Sequence, residues 1–383
     1  MNTEGLKFCI VGAGIGGLAA ALALRLRSGQ VTVLEQAQEI TEVGAGLQIS
    51  ENGLVVLRAL GVIGDAHERG QVSFGTELRD YKAGRIISQI PAPAAGQTYY
   101  YHRADLIDLL HQAAIREGVE IPLGSTASGV RFSNNKAVLE LDSGESMRAD
   151  CVIAADGGRS VLRPFLNGEE SPVFTHQVAW RATIPWDARS ETPKAMLTMA
   201  PGRHVVCYPL RDQQLMNIAA FEERSDWREE GWRLKGDPEE FRMRFADFGG
   251  PVRDYLAKVN EAHLWALFLR PVARNWQNGS VALLGDAAHP TLPYMAQGAC
   301  LALEDAWVLS RCFSEQSSIK SALEAYEATR RKRVQQVVAA ASNNARNFHL
   351  RGPMRLAAQL ALKAAGPRLG RRFDWIYSYD ATA

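Results

Sequence analysis

Cysteine is scarce and unpatterned. Cys9, Cys151, Cys207, Cys300 and Cys312 are the only five in 383 residues, and they form no C-x-x-C pair or Cys/His ligand spacing. This excludes a disulfide scaffold and a zinc module, and it favours a reducing, cytoplasmic setting with no bound metal. Cys9 and Cys151 lie in apolar strand-like runs, where a thiol acts as a small hydrophobe. An excess of one charge is also missing: 43 Lys and Arg against 42 Asp and Glu leave +1, which gives no electrostatic footprint for nucleic acid. There is no repeat and no low-complexity tract. No strongly hydrophobic run reaches the roughly 20 residues of a membrane span, so no transmembrane segment is expected.

The uncharged stretch between Lys7 and Arg25 contains GAGIGGLAAALAL. Its small residues imitate a signal peptide loosely, but that reading leaves the glycines without a purpose. A nucleotide cradle uses them. Phe8–Val11 reads as a buried strand, Gly12, Gly14 and Gly17 match G-x-G-x-x-G, and Leu18–Leu26 reads as a helix. Val31–Leu34 reads as the next strand, delivering Glu35 where an acid would hold a ribose hydroxyl. The chain is longer than one core usually is, which favours two connected domains.

Beyond Glu35, a glycine-containing loop precedes a helix from about Asn52 to Gly61. Phe74–Ile90 alternates as strands around a Lys82-Ala83-Gly84 turn, and YYYHRADLIDLLHQAAIREGV reads as the next helix. Strands are expected at 137–141 and 151–154. VAWRATIP, HVVCYPL and QLMNIAAFE have the branched and aromatic texture of a second sheet. Between them and the next buried strand, SVALLGDAAH, the charged stretch 226–245 reads as a solvated lid with Asp237 as N-cap and Pro238 at the first helical position. Helices from about Gly298 and Ile319 follow, and the RRKR run at 330–333 reads either as a solvated helix face or as a membrane-surface patch.

Three separated motifs, GAGIGG at 12–17, DGGRSVLR at 156–163 and GDAAHPTLPYMAQGACLALEDA at 285–306, carry a resemblance. Over almost its whole length the chain resembles the single-component, class A FAD-dependent aromatic hydroxylases, in the branch with salicylate hydroxylase and 3-hydroxybenzoate 6-hydroxylase. The resemblance implies an α/β architecture. A Rossmann-like FAD-binding domain of the GR2 type would be built from 1–73, 103–170 and 276–325. A mixed β-sheet substrate domain would be inserted from 74–102 and 171–275, with a helical C-terminal segment at 326–383. It also implies tightly bound, non-covalent FAD, O2, and NAD(P)H as a transient co-substrate, consistent with the lack of a second Rossmann unit. The protein is expected to be a monomer or homodimer.

The motifs have physical logic of their own. Asp286, at the carboxyl edge of the sheet, can accept hydrogen bonds from ribityl hydroxyls; the plainer alternative is a turn cap. Pro293 opens a loop into a helix whose first N–H groups, at Gly298 and Ala299, favour an anion such as the pyrimidine end of reduced flavin. The resemblance places the isoalloxazine there and puts Pro293 among the catalytic residues. It also assigns Glu35 to the adenosine ribose, Gln48 to the vicinity of the ring, and Arg103 to the phosphate or ribityl portion, unless Arg103 merely caps a loop. Asp156 and Arg159 belong to a motif that contacts FAD and the passing nicotinamide nucleotide, and Arg163 reads as a structural ion-pair partner.

The implied reaction reduces the flavin with NAD(P)H, forms a flavin C4a-hydroperoxide with oxygen, and transfers one oxygen atom to an electron-rich ring. A phenol with a pKa near ~10 is only about one part in a thousand ionised at pH 7, so a base or cation beside it is useful. His204 and Tyr208 share one face of a predicted strand, and members of this branch carry a His and a Tyr in similar context. The competing reading makes them an edge histidine and a core aromatic. Arg181 suits a substrate carboxylate, but alternation only sets it opposite Trp180 without choosing the inner face. Tyr294 and Met295 either shape the pocket or fill core, and His289 is either a base or a brace. The expected substrate is a small hydroxylated aromatic or heteroaromatic acid of the salicylate, hydroxybenzoate or hydroxynicotinate type. Alternatives are an epoxidase or reductase for a larger substrate, or a flavin redox sensor without turnover.

Overall fold

The computed structural model describes the chain apart from residues 1–2, 41–44, 93–95, 134–135, 226, 228–234 and 367. Part of the expected lid therefore lies outside the described residues. Its remainder includes helix Pro238–Arg244, capped by the Asp237 carboxylate, which accepts the Glu239 N–H at 2.8 Å.

Lys7–Val11 lies inside a four-stranded parallel sheet whose order is 281–283, 151–154, 7–11, 30–34. These strands are almost wholly buried, as their unbroken apolar runs require of strands covered on both faces. Helix Ile15–Arg25 begins three residues before the expected Leu18 and packs on helices Arg103–Arg116 and Gly298–Glu315. An antiparallel three-stranded sheet, 127–133, 136–141 and 146–149, also joins this core.

The tyrosine run before Arg103 is strand, not helix. Thr98–His102 pairs with Gly46–Ser50 and Gln71–Val72, rather than with the larger sheet next to which its sequence position puts it. Alternation explains why. Tyr99 and Tyr101 enter the central core while Tyr100 points the other way and stacks on Tyr208, with ring centroids 4.7 Å apart.

The larger sheet has eight strands in the order 235–236, 262–269, 173–185, 215–223, 203–210, 195–200, 75–80, 86–91. One face is covered by helices Pro238–Arg244 and Pro251–Ala257, with Val178, Trp180, Phe241, Phe245 and Phe248 at the contact. Trp180 stacks on Phe241 at 5.0 Å and donates its indole N–H to Glu222. Full burial of one such side chain contributes about 1.5–3 kcal/mol, and this anchoring decides the faces. Arg181, Val206, Tyr208 and Phe221 are left to look the other way.

The RRKR run is not a surface patch. Arg330 and Arg333 are buried against Glu304 and Asp305, with N–O distances of 2.5–2.7 Å, and Arg331 pairs with Glu327. Among the described residues no helix is long and apolar enough to cross a membrane.

Candidate active site

Gly12, Asp156 and Gly285 each follow the carboxyl end of a neighbouring parallel strand, so three chain-distant motifs meet along one edge of the sheet, where α/β folds bind ligands. The glycines differ in what holds them. Gly12 has φ +101°, and a Cβ there would stand 2.6 Å from the Ala155 carbonyl oxygen; at Gly17 it would overlap the Gly12 carbonyl. Gly14 is the N-cap of helix Ile15–Arg25, which has no side-chain cap and no acid in its first turn. A Cβ on Gly14 would meet nothing within 4 Å, so protein packing does not demand this glycine. An open helix N-terminus faced by free space is suited to a diphosphate. Glu35 is fixed beside it, accepting the Ala13 N–H at 2.8 Å and the Ala37 N–H at 2.9 Å. Asp156 packs against Gly12 and accepts the Val161 N–H at 2.8 Å, and burial raises its carboxyl pKa.

The GDAAH loop is braced from two sides. Arg163 donates to the carbonyls of Ala287 and Ala288 at 3.1 and 3.2 Å while paired with Glu170 at 2.6 Å. Asp305 accepts the Gly285 N–H at 3.1 Å and lies 2.6 Å from His289 Nε2. His289 is therefore a buried brace, and Arg163 is the structural partner its motif suggests. Asp286 is exposed between buried neighbours, and the short 3-10 turn to which it belongs has no side-chain cap. The solvent-reaching carboxylate is nevertheless crowded by the surrounding protein, whose desolvation raises its pKa, and His289 and Arg103 oppose that shift. Arg103, at the start of helix Arg103–Arg116, thus shares a neighbourhood with Asp286.

Pro293–Met295 forms a short 3-10 turn, Ala296 adopts φ +51°, and helix Gly298–Glu315 begins after Gln297. Gln297 does not cap this helix. Its side chain turns inward, accepting from Asn52 at 2.8 Å and donating to Ser50 at 3.0 Å, so the N–H groups at Gly298 and Ala299 face no capping side chain and no first-turn acid. No sequence motif marks Asn52, although it sits one residue into the helix that follows Gln48. Met295 belongs to the central core, while Tyr294 donates its hydroxyl to Gln177.

Across from this loop lies the inner face of the eight-stranded sheet. Gly46, two residues before Gln48, docks on it: its N–H donates to Asn217 at 2.7 Å, and a Cβ would stand 2.7 Å from the Tyr208 ring. Burial pushes the Tyr208 phenol up to about 12 against the pull of Arg181, so it remains a donor at neutral pH. Arg181 lies between the rings of Phe221 and Trp265, at 5.8 and 5.7 Å. Burial lowers its pKa, Tyr208 supports its charge and Arg103 opposes it, and no carboxylate of the described residues stands among these influences. His204 stacks on Phe221 at 4.5 Å and approaches Tyr294 at 5.3 Å. Its Nδ1 lies 2.8 Å from Nε2 of His349, a residue with no sequence motif that the end of helix Ile319–Phe348 delivers. Burial, then His349 and Arg181, hold the His204 pKa well below its ordinary value, so the ring is neutral at pH 7.

Arg181 lies close enough to Arg103, Tyr208 and His204 for their charges to interact, Arg103 bears on Asp286 and His204 packs beside Tyr294, so these six residues lie together, while Gly12, Gly14, Gly17 and Glu35 lie along the carboxyl edge of the parallel sheet. Among the described residues no cluster of His, Cys, Asp and Glu has the geometry to hold a metal ion. The exposed Asp286, the uncapped helix at Gly298 and the free space at Gly14 fit the ribityl, pyrimidine and diphosphate portions of a flavin dinucleotide.

A family model described as an FAD binding domain matches residues 6–341. A 3-amino-4-hydroxybenzoate 2-monooxygenase of Streptomyces platensis is 32% identical over 391 residues, covering 98% of this chain and 96% of that protein. A 3-hydroxybenzoate 6-hydroxylase of Klebsiella oxytoca is 32% identical over 390 residues, covering 98% and 97%. A solved salicylate hydroxylase substrate complex superposes with a TM-score of 0.84 at 26% identity, covering 100% of this chain and 97% of that one.

Proposed function

Because the chain belongs to the FAD binding domain family and is an FAD-dependent aromatic monooxygenase, we propose that it uses NAD(P)H and O2 to hydroxylate a small aromatic or heteroaromatic acid already bearing a ring hydroxyl. The observation that carries this reading is Arg181, a guanidinium close to two aromatic rings with no carboxylate among the described groups that bear on its charge. A charge half withdrawn from water without an ionic partner is costly, and a substrate carboxylate matches its fork.

In this reading Gly12, Gly14 and Gly17 admit the diphosphate of FAD, Glu35 holds the adenosine ribose, and Asp156 supports the turn behind them. Arg103 and Asp286 take the phosphate and ribityl portions, Gln48 flanks the ring, and Gly298 and Ala299 offer N–H groups to its pyrimidine end, with Pro293 shaping their loop. Bound FAD supplies the redox chemistry, accepting hydride and delivering one oxygen atom from O2 to the ring. The residues then position and ionise the substrate. Arg181 binds the carboxylate and favours a phenolate nearby, Tyr208 donates to the ring oxygen, and His204, neutral at pH 7, accepts the phenolic proton. Phe221, Trp265 and Tyr294 wall the site against water.

The test follows NADH and NADPH oxidation by FAD-loaded protein with hydroxybenzoates, hydroxypyridine carboxylates and the matching phenols without a carboxylate, identifying products by mass. The acids should stimulate oxidation and gain one oxygen atom. Equal stimulation by the neutral phenols would remove the role of Arg181, and peroxide as the sole oxygen product throughout would refute the hydroxylase reading.

A further inference from the structure

We propose that His349, working with Glu223 and Gln177, carries the phenolic proton of the substrate from His204 to solvent by exchanging tautomers. The proposal rests on the reading of a phenolic substrate given above.

A proton accepted by a ring as enclosed as His204 needs an exit, and the contacts of His349 supply one. This imidazole is 2% exposed. Its Nε2 faces His204 Nδ1 at 2.8 Å. Its Nδ1 faces two groups of opposite character, the carboxylate Oε1 of Glu223 at 3.3 Å and the amide Nε2 of Gln177 at 3.5 Å. The Gln177 amide is oriented by the Tyr294 hydroxyl, which donates to its Oε1. With a proton on Nδ1, His349 donates to Glu223; without it, the same nitrogen accepts from Gln177. A histidine held for structure needs one partner per nitrogen, whereas this one has a partner in each tautomer. Glu223 ends the path with a side chain 38% exposed, paired to Arg351 on the surface.

At the start His204 and His349 both carry hydrogen on Nδ1, and Glu223 is ionised. The phenol O–H breaks as His204 Nε2–H forms. His204 Nδ1–H breaks as His349 Nε2–H forms. His349 Nδ1–H breaks as a Glu223 O–H forms, and water removes that proton. One phenolate is left beside Arg181, both imidazoles are neutral in the other tautomer, and nothing is oxidised or reduced. Return of a proton to the product along the same path restores the start. The groups that bear on the path are Tyr208 on the same strand as His204, Arg181 two strands away across strand 215–223, Tyr294 from the loop before helix Gly298–Glu315, and Glu223 and Arg351 at the exit. Burial holds both histidines below their ordinary pKa, which disfavours trapping the proton as an imidazolium.

The test uses FAD-loaded protein and 3-hydroxy-4-nitrobenzoate, whose phenolate absorbs in the visible, mixed by stopped flow at a pH where the free probe is mostly un-ionised. Wild type should ionise the bound probe. His349→Ala should bind it with a Kd within about twofold and ionise it at least tenfold more slowly, with added imidazole restoring the rate. Glu223→Gln, altered near the surface, should slow ionisation while Glu223→Asp retains most of it; flavin absorbance reports folding of each variant. If His349→Ala and Glu223→Gln ionise the probe at the wild-type rate, the relay is wrong and the phenolic reading survives. If imidazole fails to rescue His349→Ala, its role is structural and the proposal falls. A wild-type protein that does not bind or does not ionise the probe overturns the phenolic reading and the relay with it.

Discussion

Replacing Gly14 and Gly17 separately by alanine tests whether the glycine-rich turn is shaped by the protein or by its cofactor. At Gly17 the added Cβ would overlap the Gly12 carbonyl oxygen and press on Ala155 at 3.3 Å, so backbone must shift, at a cost of roughly 1–3 kcal/mol or more. At Gly14 the backbone has φ −75° and ψ −179°, which alanine adopts freely, and the methyl meets nothing within 4 Å. Loss of an N-cap glycine and reduced unfolded-state entropy oppose each other. Gly14→Ala should therefore leave the apoprotein within about 0.5 kcal/mol of wild type. Its methyl does occupy the space offered to the diphosphate, and a tenfold loss of FAD affinity corresponds to about 1.4 kcal/mol. At free FAD near 100 times the wild-type Kd, FAD should stabilise wild type by about 2.7 kcal/mol and Gly14→Ala by only about 1.4 kcal/mol. Denaturant unfolding with and without FAD, together with quenching of FAD fluorescence, measures both quantities. Wild-type FAD affinity in Gly14→Ala, or apoprotein destabilisation matching that of Gly17→Ala, would refute the reasoning.

Arg181→Met should raise the Kd of the aromatic acid about 30-fold or more, since truncating one partner of a buried charge pair costs about 2–5 kcal/mol; FAD affinity should not change, and titration of the flavin spectrum reads both. Asp305→Asn should destabilise the fold by roughly 3–5 kcal/mol, the range for breaking a buried ion pair. The acid limb of the unfolding curve should change with it. Burial alone would raise the Asp305 pKa, yet His289 and Arg330 bring it down to about 2, below the unfolded value near ~3.9. The folded pKa is depressed, so this stabilisation is complete above about pH 4 and is lost as pH falls towards 2. Wild type should show that loss and Asp305→Asn should lack it.

The parts of the fold and site legible in the sequence are those where chemistry and local backbone coincide. GAGIGG with its flanking strands and Glu35, GDAAH at a strand end, and Asp237-Pro238 at a helix start each state their geometry within a few residues. What stayed open depended on partners elsewhere. Alternation sets Arg181 opposite Trp180, but only the stacking of Trp180 on Phe241 and its bond to Glu222 turn Arg181 to the sheet face that carries His204 and Tyr208. The RRKR run looks like surface charge until Glu304 and Asp305 appear beside Arg330 and Arg333. His349 lies 145 residues from His204, and no motif announces a contact made by the last turn of a long helix. YYYH went to strand because pairing with Gly46–Ser50 outweighed its proximity to a helical sequence.

The most direct measurement is a turnover in oxygen-18 gas with FAD-loaded protein, NAD(P)H and the aromatic acid that best stimulates its oxidation. One labelled oxygen atom should appear on the ring of the product, in amounts that match the NAD(P)H consumed. Label found only in hydrogen peroxide, or a product oxygen derived from water, would contradict the assignment of this cleft as the site of a flavin-dependent aromatic hydroxylation.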